Sequence, residues 1–335
     1  MTDLESQTVK FRKSFSQVKH EVQKVIVGNE EIIDGVITAL IAGGHVLLEG
    51  VPGLGKTLLV RSLSQAVHLT FSRIQFTPDL MPSDITGTNI LAEDSSGRRE
   101  FRFQPGPIFA GMVLADEINR ATPKTQSAML EAMQENAVTS AGIKHKLPDP
   151  FFVLATQNPI EQEGTYPLPE AQLDRFLFKL IVPSPSYEEM SIILDRTTGI
   201  EVQTIEAVID GEEIMQLRHL AREVPMAPNV KDYAIKVALA THPNNEGATS
   251  KVKQYVRFGT SPRGAQAMIA SAKIKALVDG RYNVSIDDLN SVAFSALRHR
   301  IVLNFEGQAD GISTDEIIDD VLKLTGKTTQ VKLGV

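Results

Sequence analysis

Short apolar runs, each bounded by polar or turn-forming residues, recur through the first half of the chain. Five of them predict β-strands, at residues 45–49, 71–75, 112–118, 151–157 and 176–182. Several are apolar throughout, which is typical of strands buried on both faces of a parallel sheet. Helical spacing lies between them, as at 55–67 and 123–136. This alternation predicts an open α/β sheet whose ligand site lies at the carboxyl ends of the strands.

The stretch VPSPSYEE at residues 182–189 marks a change of pattern. Beyond it, apolar positions follow helical spacing and strand-like runs are few. Serine followed by acidic residues, as in SIDD and STDE, is typical of helix N-termini. We therefore expect an α/β domain over residues 1–183 and an all-helical domain with a C-terminal helical tail over residues 184–335.

Two segments of the first half are long for connections in such a sheet. Residues 78–111 contain two strand-like runs, at 88–93 and 99–104, which predict a hairpin. Residues 137–148 predict a second hairpin that turns at Ala141 and Gly142. Both segments could be plain surface loops, but connections of this length more often carry a function.

Composition narrows the classes of function. The chain has 335 residues, enough for two domains, and it contains no cysteine. The missing cysteines exclude disulfides, thiolate metal sites and cysteine nucleophiles, and they fit a cytoplasmic location. The first residues have no apolar core and no run reaches the roughly 18 apolar residues of a membrane span, so we expect neither a secretory signal nor membrane insertion. The net charge of −7 without a basic run argues against a nucleic-acid partner.

The stretch GVPGLGKT at residues 50–57 follows the first predicted strand and matches the pattern G-x-x-x-x-G-K-[ST]. Such a loop curls its N–H groups around phosphate, its lysine reaches the β- and γ-phosphates, and its hydroxyl binds Mg²⁺. The cofactors predicted here are therefore ATP and Mg²⁺. The expected nucleotide contacts are Gly50, Pro52, Gly53, Leu54, Gly55, Lys56, Thr57 and Leu58, and Thr57 is also a candidate Mg²⁺ ligand.

Polar side chains end the next two apolar runs. Asp116 and Glu117 close the run MVLADE, where Asp116 could hold Mg²⁺ and Glu117 could polarise the attacking water. Such an acidic pair can also be the charged start of a helix, a weaker alternative beside an intact phosphate loop. Asn158 ends the run LATQNP, where it could bind the water or the γ-phosphate, and the same Asn-Pro also begins a turn.

Two arginines could stabilise the charge that develops on the γ-phosphate. Arg175 precedes the last predicted strand, in AQLDRF, and Arg263 begins a helix of the second domain, in GTSPRGAQ. Position alone would favour an ordinary surface or ion-paired arginine in both cases.

The order and spacing of five motifs resemble those of a MoxR-type AAA+ ATPase of the helix-2-insert branch. The motifs are GVPGLGKT, LADEINRA, ATQNP, LPEAQLDRF and TSPRG. The resemblance runs from about residue 25 to about residue 300. It implies a P-loop NTPase core with a five-stranded parallel sheet, followed by an all-helical lid. The hairpin within 78–111 resembles the helix-2 insert, and the one within 137–148 resembles the presensor hairpin.

The resemblance also implies roles for the candidate residues. The Walker A pair is Lys56 and Thr57, the Walker B acids are Asp116 and Glu117, and sensor 1 is Asn158. A second set follows from the same resemblance: Arg175 is an arginine finger for the neighbouring subunit, Arg263 is a sensor 2 for its own subunit, and Val27 and Gly28 contact the adenine.

The family implies a chaperone-like remodelling ATPase in a homo-oligomeric ring, expected to be a hexamer, with a protein client and a von Willebrand factor A-domain partner. Three alternatives stay open at this point. They are the ATPase subunit of a magnesium-chelatase-like complex, a nucleic-acid motor, and a nucleotide switch without hydrolysis. Glu117 and Asn158 argue against the switch.

Overall fold

The computed structural model describes residues 3–51, 53–93, 99–158, 164–199 and 203–333. Its central element is a parallel sheet of five strands in the order β2–β5–β8–β1–β9. These strands are β1 (Val46–Glu49), β2 (Phe71–Gln75), β5 (Met112–Asp116), β8 (Phe152–Gln157) and β9 (Phe178–Ile181). All five predicted strands are present. The third is shorter than predicted because Glu117 takes a left-handed backbone conformation, with φ of 56°.

Helices connect and flank the strands of the sheet. In the first half they are α1 (Asp3–Val25), α2 (Glu30–Ala42), α3 (Lys56–Ala66), α4 (Pro82–Thr86), α5 (Pro123–Glu135) and α6 (Glu170–Leu173), with a 3₁₀ turn at Ile118–Arg120. Helix α1 was not predicted. It carries an apolar stripe of Phe11, Phe15, Val18 and Val22, all buried, whose spacing suits one helical face.

Both predicted hairpins are present in the described residues. Strands β3 (Gly87–Glu93) and β4 (Arg99–Pro105) form the first, and its predicted tip at 94–98 lies outside the described residues. Strands β6 (Ala137–Ser140) and β7 (Ile143–Lys146) form the second. Its turn has positive φ at both central residues, the geometry of a tight hairpin turn. Phe103 stacks on His145 at 3.8 Å between ring centroids, which joins the two hairpins.

The second half is mainly helical. Its helices are α7 (Tyr187–Thr198), α8 (Gly211–Glu223), α9 (Pro228–Ala240), α10 (Ser250–Tyr255), α11 (Pro262–Val278), α12 (Ile286–Leu297), α13 (Phe305–Ala309) and α14 (Thr314–Leu333). Ser285 caps the start of α12 and Ser313 the start of α14, as the serine–acid pattern predicts, and Ser186 caps α7 in the same way. One short antiparallel pair, β10 (Val256–Phe258) with β11 (Val302–Leu303), is an addition to the predicted helices.

The core lies on both faces of the sheet. Val46 and Leu48 of β1 belong to a cluster that also contains residues of α1, α2 and the helices of the second half. Leu47 points to the other face and packs in a cluster with α5 and the second hairpin. Because one cluster joins helices from both halves, the second half is seated directly against the layer that covers the sheet. A division into domains at residue 183 stays a prediction.

Candidate functional site

The glycine-rich loop lies at the carboxyl end of β1, between that strand and α3. Gly53 and Gly55 have φ of 85° and 72°, a conformation that L-residues rarely adopt, and no atom lies within 4 Å of where a Cβ would sit. Helix α3 begins at Lys56 without a side-chain cap and without an acidic residue in its first turn. Its positive end is therefore open to an anion, as a polyphosphate cradle requires. Pro52 lies outside the described residues.

Lys56 is folded back onto this loop. Its Nζ donates to the carbonyl oxygen of Gly50 at 2.5 Å. Burial lowers the pKa of Lys56 below its ordinary value, while the nearby carboxylates of Asp116, Glu117 and Glu49 act in the opposite direction. The lysine therefore lies within electrostatic reach of both acids that the sequence predicted for the site.

Asp116 and Glu117 are held at the end of β5 by the neighbouring strand β8. The Thr156 hydroxyl donates to Asp116 Oδ1 at 2.7 Å and accepts the backbone N–H of Glu117 at 2.8 Å. Thr156 is fully buried, so its position is fixed. Its hydroxyl therefore orients the side chain of one acid and the backbone of the other.

Two further contacts to these acids come from β2, and the sequence analysis missed them. Arg73 donates to Asp116 Oδ2 from Nη2 at 2.6 Å and from Nε at 3.1 Å. Gln75 donates from Nε2 to Glu117 Oε2 at 2.8 Å, and its own Oε1 accepts from Arg73 at 2.7 Å. The alternation in FSRIQ indicates only that residues 73 and 75 share a face of the strand. That this face meets the acids depends on β2 pairing with β5.

Asn158 directly follows β8, which lies between β5 and β1 in the sheet. It is buried, and the strand order places it between the glycine-rich loop after β1 and the two acids at the end of β5. The parallel topology thus brings residues 49–58, 116–117 and 156–158 to one edge of the sheet, which we call the carboxyl edge.

A cavity of about 290 Å³ adjoins the glycine-rich loop. Val27, Gly53, Leu54, Gly55 and Leu58 line one side of it. The other side comes from residues that no motif identified: Pro183, Pro185, Met190, Ile193, Arg196 and Thr197. The predicted contact Gly28 is not in its lining and lies against Glu189 of α7. A mainly apolar pocket beside a phosphate cradle suits a flat base such as adenine.

Arg196 ties this cavity to the N-terminal helix. Its Nη1 donates to the carbonyl oxygens of Gln23 and Lys24, at 3.2 Å and 2.8 Å, at the end of α1. Helix α7 therefore closes over the segment that carries Val27. Sequence reasoning could not find this contact because 173 residues separate Arg196 from Gln23.

The oxygen donors at the carboxyl edge fit a Mg²⁺–nucleotide. Thr57 lies in the first turn of α3, which follows β1 and the glycine-rich loop. Asp116 ends β5, which lies two places from β1 in the sheet. A hydroxyl and a carboxylate are the hard oxygen ligands that Mg²⁺ prefers, usually together with waters and phosphate oxygens. Thr57 and Asp116 are therefore the residues that would hold the ion.

Arg175 lies at the opposite edge of the sheet. The backbone N–H of Leu177 donates to the carbonyl oxygen of His45 at 2.8 Å, just before β9 and β1 begin. Arg175 Nη1 donates to the carbonyl oxygen of Leu130 in α5 at 2.9 Å. We call the edge formed by residues 44–45 and 174–177 the amino edge. A strand of four residues separates it from the glycine-rich loop by about 13 Å.

Arg263 also lies at the amino edge, whereas the sequence analysis expected it at the nucleotide of its own subunit. Its Nη1 is 3.8 Å from Asp174 Oδ2, and Ser261 at the start of α11 donates to the same carboxylate at 2.9 Å. Arg263 and Arg175 line one cavity of about 470 Å³, together with Arg222 and Arg300. The lid is seated on the amino edge because buried Arg300 binds Asp174 at 2.8 Å and the carbonyl oxygen of Phe176 at 2.5 Å.

Comparisons with known proteins agree with this geometry. The ATPase family associated with various cellular activities (AAA) matches residues 45–178, and the AAA lid domain matches residues 248–321. Chaperone MoxR1 from Mycobacterium tuberculosis is 45% identical over 90% of this chain and 79% of its own length. The chain belongs to the MoxR-type AAA+ ATPases.

Two further similarities extend over nearly the whole chain. The uncharacterised protein YeaC from Bacillus subtilis is 44% identical over 91% of this chain and 92% of its own length. The structure of a candidate ATPase from Cytophaga hutchinsonii superposes with a TM-score of 0.89 at 40% identity, over 95% of this chain and 96% of that one.

These similarities confirm the predicted fold class and the ATP-hydrolysing activity of this MoxR-type chain. They do not favour the magnesium-chelatase or nucleic-acid alternatives. In the described part of the chain, no helix combines the length and apolar character that a membrane span requires.

Proposed function

We propose that this MoxR-type ATPase hydrolyses Mg²⁺-bound ATP at sites that two subunits share. The proposal is carried by one observation: the charged groups expected to act on ATP lie at opposite ends of the strands. The phosphate loop and the two acids lie at the carboxyl edge, whereas Arg175 and Arg263 lie at the amino edge. A rigid sheet cannot bring the two edges together, so the arginines of one copy can act only on nucleotide held by another.

Within one subunit, the carboxyl edge binds and prepares the nucleotide. Lys56 leaves the Gly50 carbonyl and binds the β- and γ-phosphates, and Thr57 and Asp116 hold Mg²⁺. Glu117 polarises the water that attacks the γ-phosphate, and Asn158 holds that water or a γ-phosphate oxygen. Positioning and electrostatic stabilisation supply most of the catalysis of phosphoryl transfer, which is what such a constellation provides.

The neighbouring subunit completes the site. Arg175 and Arg263 sit in one cavity with two further arginines, Arg222 and Arg300, and with Asp174 as the acid beside them. A guanidinium directed at the γ-phosphate stabilises the charge that develops there, and its removal costs several orders of magnitude in rate. Arg263 is therefore proposed to act on the neighbour's nucleotide, in place of the own-subunit role first expected.

Head-to-tail contacts of this kind close into rings, and a hexameric ring is the proposed assembly. The name of the relative Chaperone MoxR1 supports a chaperone-like role in which hydrolysis drives the remodelling of a protein client. The von Willebrand factor A-domain partner and the cytoplasmic location stay predictions.

The test is the ATPase rate per subunit over a wide range of protein concentration, with the molar mass measured by light scattering in the same samples. Shared sites predict that the rate per subunit rises as the mass rises above that of one chain. A full rate at the mass of a single chain would overturn the proposal.

A further inference from the structure

Arg73 makes a contact that the proposed hydrolysis does not use. Its guanidinium places two donors on one oxygen of Asp116, with Nη2 at 2.6 Å and Nε at 3.1 Å from Oδ2. The other oxygen, Oδ1, accepts the hydroxyl of Thr156 at 2.7 Å. Both oxygens of the expected Mg²⁺ ligand are therefore bound by donors of the protein itself.

The two donors differ in how firmly they are held. Thr156 is fully buried in the middle of the sheet. Arg73 lies on β2, the edge strand, and 48% of its side chain is exposed. A long side chain at an exposed edge can leave its partner and enter solvent, whereas a buried hydroxyl cannot. Oδ2 is thus the oxygen that can change partner.

Lys56, another cation near Asp116, is bound to the Gly50 carbonyl and is expected to move onto phosphate. Arg73 has no such destination in the phosphate loop. It is instead joined to Gln75, whose Oε1 accepts from Nη2 at 2.7 Å. A guanidinium is a delocalised cation whose donors lie in a fixed plane, which suits a carboxylate partner.

We propose that Arg73 competes with Mg²⁺ for Asp116 and thereby sets how strongly the metal ion is coupled to nucleotide binding. The proposal rests on the proposed function, because it takes Asp116 as a Mg²⁺ ligand. A hydrated Mg²⁺ ion can bind Oδ2 only when the guanidinium leaves it, and two cations beside one carboxylate also repel each other. Arg73 is thus a positioning residue that acts through Asp116.

The experiment measures the affinity of the full chain for fluorescent mant-ADP, once with EDTA and once with Mg²⁺. The ratio of the two dissociation constants gives the coupling between metal and nucleotide. We expect Arg73→Gln to increase this coupling about fivefold over the wild-type chain, the strength of a half-exposed ion pair. The change in EDTA should be small and toward weaker binding, because Asp116 then repels phosphate more strongly.

Two variants serve as controls. Arg73→Lys keeps the positive charge but loses the planar two-donor contact, so its coupling should lie between those of wild type and Arg73→Gln. Arg61→Gln removes a charge from the exposed face of α3 and should leave the coupling unchanged. Manganese affinity, measured by electron paramagnetic resonance in the ADP complex, gives a second readout that should rise with Arg73→Gln in the same proportion.

An unchanged or lower coupling in Arg73→Gln would overturn the proposal, because a residue that only orients Asp116 for the metal weakens metal binding when it is removed. Binding in EDTA reports whether the phosphate loop of each variant is intact. A wild-type chain that binds no mant-ADP would contradict the proposed function itself. Normal Mg²⁺-coupled binding that Arg73→Gln leaves unaltered would contradict only the role of Arg73.

Discussion

Lys56 is the residue that we expect to contribute most to nucleotide binding. Its ammonium lies beside the cradle formed by Gly53 and Gly55, and it donates to the Gly50 carbonyl of that loop. Exchange of a neutral carbonyl for an anionic phosphate oxygen turns a hydrogen bond with one charged partner into an ion pair.

Lys56→Ala is therefore expected to lower the affinity for mant-ATP by about two orders of magnitude. Fluorescence titration of the variant against wild type measures the loss. Lys124→Ala, which removes an exposed lysine from α5, is the matched control and should bind normally. Equal affinity in wild type and Lys56→Ala would refute the phosphate cradle.

Glu117 has a different role from Lys56. Its left-handed backbone turns it out of β5, and its carboxylate binds Gln75 at 2.8 Å and Arg120 at 3.2 Å. A carboxylate that activates water contributes to the transition state far more than to ground-state binding.

We expect Glu117→Gln to bind mant-ATP like the wild-type chain and to release phosphate at least about 100-fold more slowly. Phosphate release and nucleotide titration on the same sample separate the two effects. Turnover at the wild-type rate would exclude Glu117 as the residue that polarises the water.

The motif residues could be predicted from the sequence because each motif is a local string at the end of an apolar run. Arg73, Gln75 and Arg196 could not, since each acts through a contact with a distant segment. The register that sets Gln75 opposite Asp116 follows from the pairing of β2 with β5, and no local pattern contains that pairing.

At the scale of the elements, hydrophobic pattern located every strand of the main sheet and both hairpins. It failed where an element is short or its partner is distant. Strands β10 and β11 have three and two residues, too few for any period to show. Helix α1 has a clear apolar stripe, but its position against α3 and α11 depends on packing with segments that are distant in the sequence.

His45 links three elements at the amino edge. Its Nδ1 accepts the backbone N–H of Val153 in β8 at 3.0 Å, and its Nε2 bonds to the carbonyl oxygen of Met133 in α5 at 3.2 Å. Complete burial, helped by the charge of Arg218, lowers the pKa of His45 to about 4, although the bond to Met133 acts in the opposite direction. The folded chain thus keeps a neutral imidazole there.

This shift predicts acid sensitivity of the fold. Below pH 6.5 the unfolded chain takes up a proton on His45, and the folded chain does not until about pH 4. The free energy of unfolding should therefore fall as the pH drops through this window, by about 2 kcal/mol between pH 7 and pH 5 from His45 alone. Denaturant unfolding at the two pH values measures the fall.

The variant His45→Asn keeps an acceptor near Nδ1 and should reduce the pH dependence. Some pH dependence should remain in this variant, because burial also lowers the pKa of His299. His20→Gln on the exposed face of α1 is the control and should leave the dependence as in wild type. If the free energy of unfolding fell equally with pH in His45→Asn and wild type, His45 would not contribute to the acid sensitivity.

At the scale of the whole molecule, the decisive feature is that the groups expected to act on one γ-phosphate lie at two edges of one sheet. Motif order could not show this for Arg263, because the packing of the lid on the sheet is fixed by the buried contacts of Arg300 with residues 174–177. Under the proposed function, the chain therefore carries two halves of a site that face away from each other.

The most direct test mixes two variants that should each be inactive alone, Arg175→Ala and Glu117→Gln. In a mixed assembly, an Arg175→Ala subunit keeps its own Glu117 and receives an intact arginine from a Glu117→Gln neighbour. Sites shared between subunits predict that the mixture regains up to about a quarter of the wild-type ATPase rate, the fraction of contacts that pair both intact groups. A mixture no more active than the sum of its parts would contradict shared sites.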